Sequence, residues 1–274
     1  MLLLFINFIK RKGQTTMSIK IAVTNEKGGC AKTTTAVNLA AILGERGYKT
    51  LLVDMDYQSY ASHYLNRYDE DSLGILEVMK GSPVQSIIKQ TDFENLYLLP
   101  STISFSVCED LLTQLKHDNK DYISVLSEAL SAITEDFDYI IIDSPPNGIH
   151  LKENIHKFSD YLILPTIPDD YAVHSLLCKA SEMITVKSQV NPRLKVLGVL
   201  IVMYERNKNK MAYTEALKQQ DIFPCFDTVI RKNTTLSAAI NSRQPINYYD
   251  RRCNGTKDYN TLADEIITAT QEDK

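Results

Sequence analysis

The stretch NEKGGCAKTTT, Asn25 to Thr35, constrains the fold most, because of what flanks it. SIKIAVTN (Ser18 to Asn25) is an apolar run that ends on the loop, and Thr33 to Arg46 carries apolar residues at helical spacing, with Gly47 placed as a C-cap. Strand, glycine loop and helix in this order are the setting of a phosphate cradle. Backbone N–H groups hold the anion, a terminal lysine reaches its outer oxygens, and the next hydroxyl meets Mg²⁺. Lys32 and Thr33 fill the last two roles, and Gly28, Gly29, Cys30, Ala31 and Thr34 complete the cradle. Two features depart from GxxxxGK[ST]. Lys27 is a second lysine that the pattern does not need, and Ala31 stands at a glycine position, where a Cβ crowds the backbone and opposes a positive φ.

Further short apolar runs follow: Thr50–Asp56, Asn95–Ser101, Asp138–Pro146, Tyr161–Thr166 and Leu194–Tyr204. They read as strands covered on both faces. Helix-length amphipathic segments lie at Phe105–His117, Tyr122–Glu135, Tyr171–Gln189 and Met211–Gln220. This alternation predicts an α/β fold with a doubly wound, mostly parallel sheet and helices on both faces. No Gly/Ser/Pro-rich linker interrupts residues 17–274, so one domain is expected. In such sheets ligands gather beyond the carboxyl ends of the strands. Asp54, Asp56 and Asp143 all fall there. With Thr33 they make a metal and phosphate constellation in which Asp143 holds Mg²⁺, through water, and the helix starting at Lys32 points its positive end at the phosphates.

Five cysteines without paired ligand spacing and five dispersed histidines exclude a disulfide framework and a zinc site, and fit a reducing cytoplasm. Cys30 is expected to pack inertly, although a helix N-terminus favours a lowered thiol pKa. The apolar run Leu2–Ile9 is too short to span a bilayer, and the charges at Lys10, Arg11 and Lys12 follow it, the reverse of a signal peptide. Residues 1–16 are therefore expected to be a leader, with translation starting at Met17.

KGGCAKTT resembles the deviant Walker A loop KGGxGK[ST][ST] of the ParA/MinD family of P-loop ATPases. LLVDMDYQ resembles the family's LLVDxDPQ, YIIIDSPP its Walker B strand, and LILPTIPDDYAVHSL its PTxPxxxAxxxL segment. TVIRKNTTLSAAINSRQPI resembles TxIPRNxxLxEAxxxGxPI, and YDRRCNGTKDYNTLADEI resembles YDxxSxGAxAYxxLAxEI of the ParA/Soj-like partition branch. The resemblance runs from Ser18 to about Ile267. It implies the P-loop NTPase fold, ATP and Mg²⁺ as ligands, and slow ATP hydrolysis until a partner stimulates it. Lys27 is then the signature lysine, reaching the phosphates of the opposite subunit in an ATP-dependent homodimer. Asp56 positions the attacking water, and Asp54 supports the metal region. Tyr57 and Arg231 replace prolines of the family patterns, and Ala238 replaces a glutamate.

The chain carries a net charge of -4, yet between Arg193 and Lys257 twelve Lys/Arg face five Asp/Glu. The resemblance implies that the ATP-bound dimer binds double-stranded DNA non-specifically through this third, and Arg231, Lys232, Arg251 and Arg252 are the candidates. A ParB-like or adaptor protein is implied as the stimulating partner, with a cytoplasmic, nucleoid-associated location. Two alternatives stay open: a MinD-like positioning ATPase acting on a membrane or protein cargo, and a nucleotide-switched scaffold with little hydrolysis. The membrane is disfavoured because TLADEIITATQEDK is short, acidic at its end and poorly amphipathic. Tyr248, Tyr249 and Tyr259 lie inside a matched motif, unlike the tyrosine-rich tail of related kinases, and no paired cysteines exist to hold an iron–sulfur cluster.

Overall fold

The fold, taken from a computed structural model, is described over residues 17–273. The expected leader, residues 1–16, lies outside the described residues. In chain order the elements are β1 (Ile19–Val23), α1 (Lys32–Glu45), β2 (Thr50–Asp54), α2 (Tyr60–Tyr64), α3 (Ile75–Met79), β3 (Lys89–Gln90), β4 (Leu96–Leu99), α4 (Cys108–His117) and α5 (Val125–Leu130). Then follow β5 (Tyr139–Asp143), α6 (Ile149–Phe158), β6 (Tyr161–Thr166), α7 (Ala172–Gln189), β7 (Lys195–Tyr204), α8 (Lys208–Gln219), β8 (Cys225–Arg231), α9 (Thr234–Asn241), α10 (Ile246–Tyr249) and α11 (Asn254–Glu272).

The strands form one eight-stranded sheet in the order β3-β4-β2-β5-β1-β6-β7-β8. Every pairing is parallel except β3 with β4. The central strands are apolar runs because both faces are covered. Ile140 and Ile142 enter the core beneath α3 to α8, and Tyr139 and Ile141 enter the core beneath α1 and α11, as the two-residue period of a strand requires. Eleven of the fourteen residues of α1 are buried, and Gly44 lets it lie close to the β4 entry: a Cβ there would meet the Glu94 carbonyl oxygen at 2.3 Å.

Several expected elements change length for local reasons. The helix expected over Tyr122–Glu135 is regular only in α5 and tightens to a 3₁₀ turn at Ser131–Ile133. Asp121 takes the Ile123 and Ser124 N–H groups, a local turn that competes with an earlier helix start. In the segment expected to be helical from Phe105, α4 starts at Cys108 after a 3₁₀ turn at Ile103–Val107. α8 begins before the expected Met211, because the Asn207 side chain caps the Lys210 N–H at 3.0 Å. The strand expected through Pro146 stops at Asp143. β8 is absent from the sequence reading. Paired with β7 alone, it alternates buried with more exposed positions and lacks the continuous apolar run of a central strand.

Candidate functional site

β1, β2 and β5 end side by side, with Val23 and Asp54 both in register with Asp143. The loop leaving β1 therefore rises directly beside the two acidic strand ends. Gly29 (φ +72) and Ala31 (φ 62, ψ 30) both take the left-handed conformation. Alanine has thus kept the backbone a glycine would adopt, at a cost of about 1–2 kcal/mol. Ala31 offers α1 no side-chain cap, and the first turn holds no acidic residue, so the leading N–H groups stay free for an anion. Lys32 is buried, and its Nζ curls back to 3.4 Å from the Lys27 carbonyl oxygen. Cys30 is buried as well. Burial raises its thiol pKa against the opposing pull of Lys32, which overturns any lowering by the helix end and leaves a packing residue.

The three acidic residues divide into distinct environments. Asp143 is fully buried, and neither carboxylate oxygen has a hydrogen-bond partner among the described residues. Its pKa is pushed well up, first by burial and then by the charge of Asp54, while the neighbouring Thr33 and Lys32 pull it back without closing a hydrogen bond. Asp54 is also fully buried, but its Oδ2 accepts from the Ser62 N–H (2.9 Å) and Oγ (2.7 Å), and its Oδ1 accepts from the Asp56 N–H (3.2 Å). Burial still raises it, to about 6. Those bonds make Asp54 the member of the pair that ionises first. Its oxygens are committed to holding α2 and the Asp56 loop, so any support it gives a metal passes through that loop. Asp56 accepts the Gln58 N–H at 3.0 Å, lines the cleft, and has its pKa raised by burial against Lys32.

A cleft of about 670 Å³ joins the phosphate loop from Gly28 to Thr34 with Asp56. Its opposite wall was not anticipated. Tyr60 and His63 come from α2, Met203 from the end of β7, and Arg243 from the turn after α9. Met203 takes φ 53 where the β7/β8 register shifts, which turns the strand end into the cleft. Arg243 takes φ 54, donates to Asn66 Oδ1 at 2.6 Å, and adds to burial in lowering the His63 pKa. The signal for it was available in SRQPI: Arg243 occupies the glycine position of the GxPI pattern, which explains its left-handed backbone.

Lys27, half-exposed, pairs with Asp169 on the loop before α7. The basic candidates are likewise engaged. Arg231 holds Asp258 bidentately (Nε to Oδ2 3.0 Å, Nη2 to Oδ1 2.5 Å), Lys232 meets Glu205 at 3.0 Å, and Arg251 meets Glu45 at 3.2 Å. Arg252 has no ion-pair partner among the described residues; its N–H donates to Asp250. Asp258 lies in the second turn of α11 and Arg251 and Arg252 just precede that helix, so these two and Arg231 gather around its N-terminal end, while Lys232 pairs toward the residues that follow β7. Among the described residues no helix is long and apolar enough to cross a membrane.

Residues 18–196 match a family described as an AAA domain. The chain is 34% identical over 250 residues to the sporulation initiation inhibitor protein Soj of Bacillus subtilis, which covers 90% of this chain and 97% of that protein. It is 31% identical over 261 residues to the chromosome partitioning protein ParA of Myxococcus xanthus, covering 93% and 90%. Among solved structures, cobyrinic acid a,c-diamide synthase from Mycobacterium smegmatis, with bound ATP analogue and magnesium, aligns with a TM-score of 0.80 at 26% identity over 94% of this chain and 97% of that one.

Proposed function

The chain belongs to the ParA/MinD family of P-loop ATPases, in its ParA/Soj-like branch, and from that premise we propose that it is a partition ATPase whose ATP-bound dimer holds DNA and is released by hydrolysis. The observation that carries this reading is Asp143: a buried carboxylate with both oxygens unclaimed, set beside Thr33 and Lys32 under an uncapped phosphate loop. Such a group keeps its proton until a cation arrives to take the ionised form. One carboxylate and one hydroxyl, both hard oxygen donors, suit Mg²⁺, which keeps its other positions for phosphate oxygens and water. Among the described residues no cluster of three or more His, Cys, Asp or Glu exists to hold a metal by protein ligands alone. When bound, Mg²⁺ neutralises charge on the outer phosphates. Thr33 and Asp143 would hold it.

The chain's own residues do the rest. Free N–H groups of the loop and first turn of α1 cradle the phosphates, Lys32 reaches their outer oxygens, and Asp56 orients the attacking water. Lys27 gives up Asp169 to reach the nucleotide of a second copy. An exposed pair of that kind holds by about 1 kcal/mol or less, whereas a charge-assisted contact to phosphate is worth about 1.5–3 kcal/mol, so the exchange runs toward the dimer. Arg231, Lys232, Arg251 and Arg252 face the DNA backbone, in the cytoplasm on the nucleoid, and a ParB-like or adaptor partner completes the hydrolytic geometry.

Light scattering during ATP titration tests the reading. Lys27→Ala is expected to bind ATP within about threefold of the parent and remain monomeric, while Asp56→Ala dimerises and turns over about 100-fold more slowly. An ATP-dependent dimer of Lys27→Ala, or unaltered turnover by Asp56→Ala with DNA and partner present, refutes the assigned roles.

A further inference from the structure

The first half of the phosphate loop, Asn25 to Lys27, borders a second cavity of about 490 Å³ between α6, α7 and β6. It shares no lining residue with the nucleotide cleft. Leu164, Leu176, Val186 and Val190 give it an apolar wall, and its size is that of a small-molecule site. The ionic groups within it are ordered by depth. The side chains of His156 and Lys179 are 2% and 10% exposed, Lys152 is 20% exposed, and the carboxylates Glu182 and Glu26 lie further out at 27% and 64%.

Each lysine side chain is thus less exposed than the carboxylate that pairs with it. Lys179 donates to Glu182 Oε2 at 2.9 Å, Lys152 to Glu26 Oε1 at 2.6 Å, and each engages one acceptor although an ammonium carries three donors. Glu182 Oε1 lies 3.9 Å from His156 Nδ1, beyond hydrogen-bond reach. The other carboxylate on the wall, Glu153, is engaged by His150 at 2.9 Å. Burial and the two lysines keep His156 neutral, with its pKa lowered to about 3, and Lys179 is lowered by burial with Lys152 adding to the effect. Two lysines of low exposure therefore stand beside an apolar wall with donors to spare, while the carboxylates that pair with them are more exposed.

We propose that this cavity binds a small amphipathic carboxylate, whose hydrocarbon body packs on Leu164, Leu176 and Val186 and whose carboxylate is taken by Lys179 and Lys152. A cationic or neutral ligand of the same shape leaves both ammonium groups as they are, and a cation adds repulsion. The inference does not depend on the ATPase reading.

Calorimetric titration of the full chain with octanoate, 1-octanol and octylammonium tests it. Octanoate is expected to bind at least about tenfold more tightly than the other two. Lys179→Met weakens octanoate by about tenfold or more, whereas Glu182→Gln, which removes the competing negative charge, tightens it by about threefold. Nucleotide affinity stays within about twofold in both variants, which certifies the fold. A purely structural role for the pair moves both variants in the same direction, so opposite signs are the signature. Equal binding of the three probes, no binding of octanoate at about 10 mM, or an octanoate affinity unmoved in Glu182→Gln overturns the proposal.

Discussion

At the ends of β1, β2 and β5 charge is buried and under-partnered: Asp143 has no hydrogen bond at either oxygen, and Lys32 reaches only a distant carbonyl. Around the start of α11 charge is plentiful but exposed and mostly paired, Arg231 with Asp258, Lys232 with Glu205, Arg251 with Glu45. The first arrangement costs stability, about 1–3 kcal/mol for each polar group left unmet and more when the group is charged. The second is close to neutral, about 0–1 kcal/mol for each exposed pair. A buried, under-partnered acid takes up either a proton or a cation, whereas paired surface charge is consistent with either a solvated face or a polyanion footprint. The cleft can therefore be read from the isolated chain, and the basic region must be tested with DNA present.

The largest effect that would break this contrast is expected at Lys32. Lys32→Ala should weaken ATP binding by about 100-fold or more, because no other lysine of the loop reaches the phosphates in cis and Lys27 is held by Asp169. Fluorescent-nucleotide titration measures it, and a loss below about tenfold would place the phosphates elsewhere.

The second effect is a pH dependence of opposite sign for metal and for stability. Asp143 and Asp54 have folded pKa values raised above their unfolded values, so the folded chain holds protons that the unfolded chain has released. Their contribution to stability is fully present below the ordinary carboxylate value of 3.8 and is lost as pH rises through the raised values. Mg²⁺ needs the ionised form of Asp143, so its affinity for the nucleotide-bound protein should rise over the same window, by up to about tenfold per pH unit. Denaturant melts and Mg²⁺ titrations across pH check both signs. In Asp143→Asn the part of the Mg²⁺ slope due to this carboxyl should vanish, leaving only that of the phosphates.

The smallest effect sharpens the comparison on the basic side. The double reversal Arg251→Glu with Arg252→Glu should lower DNA affinity several-fold and reduce the log–log salt slope by about 2, with ATP-driven dimerisation intact. Arg231→Ala should instead also cost stability, about 1 kcal/mol, since it leaves the buried Asp258 carboxylate with the residue-231 N–H but without the guanidinium, while the arginine itself is half in water. Unchanged slope in the double reversal would leave the pairs a structural role only.

Much of the candidate site was legible because it is local. A strand, a glycine loop and a helix specify a cradle by their order alone, and continuous apolar runs mark the central strands that carry Asp54 and Asp143. β8 escaped that logic because an edge strand covered on one side alternates and shows no run. Arg243 and His63 escaped it because they reach the cleft from segments 180 positions apart in the chain, joined where Arg243 donates to Asn66 just beyond α2.

What the sequence determined by itself is therefore the kind of site: residue types at fixed short spacing, whose chemistry follows from the backbone they must adopt, down to a left-handed Ala31 where glycine is usual. Tertiary structure alone decided which charges are met and which are left waiting. Asp54 and Asp143 are both buried acids at adjacent strand ends, yet Ser62 and the Asp56 N–H satisfy one and no described residue satisfies the other. The same holds for Lys27, whose partner Asp169 lies 142 residues away. Partnership at that range depends on distance and dielectric in the folded state, and neither quantity exists until the sheet has assembled.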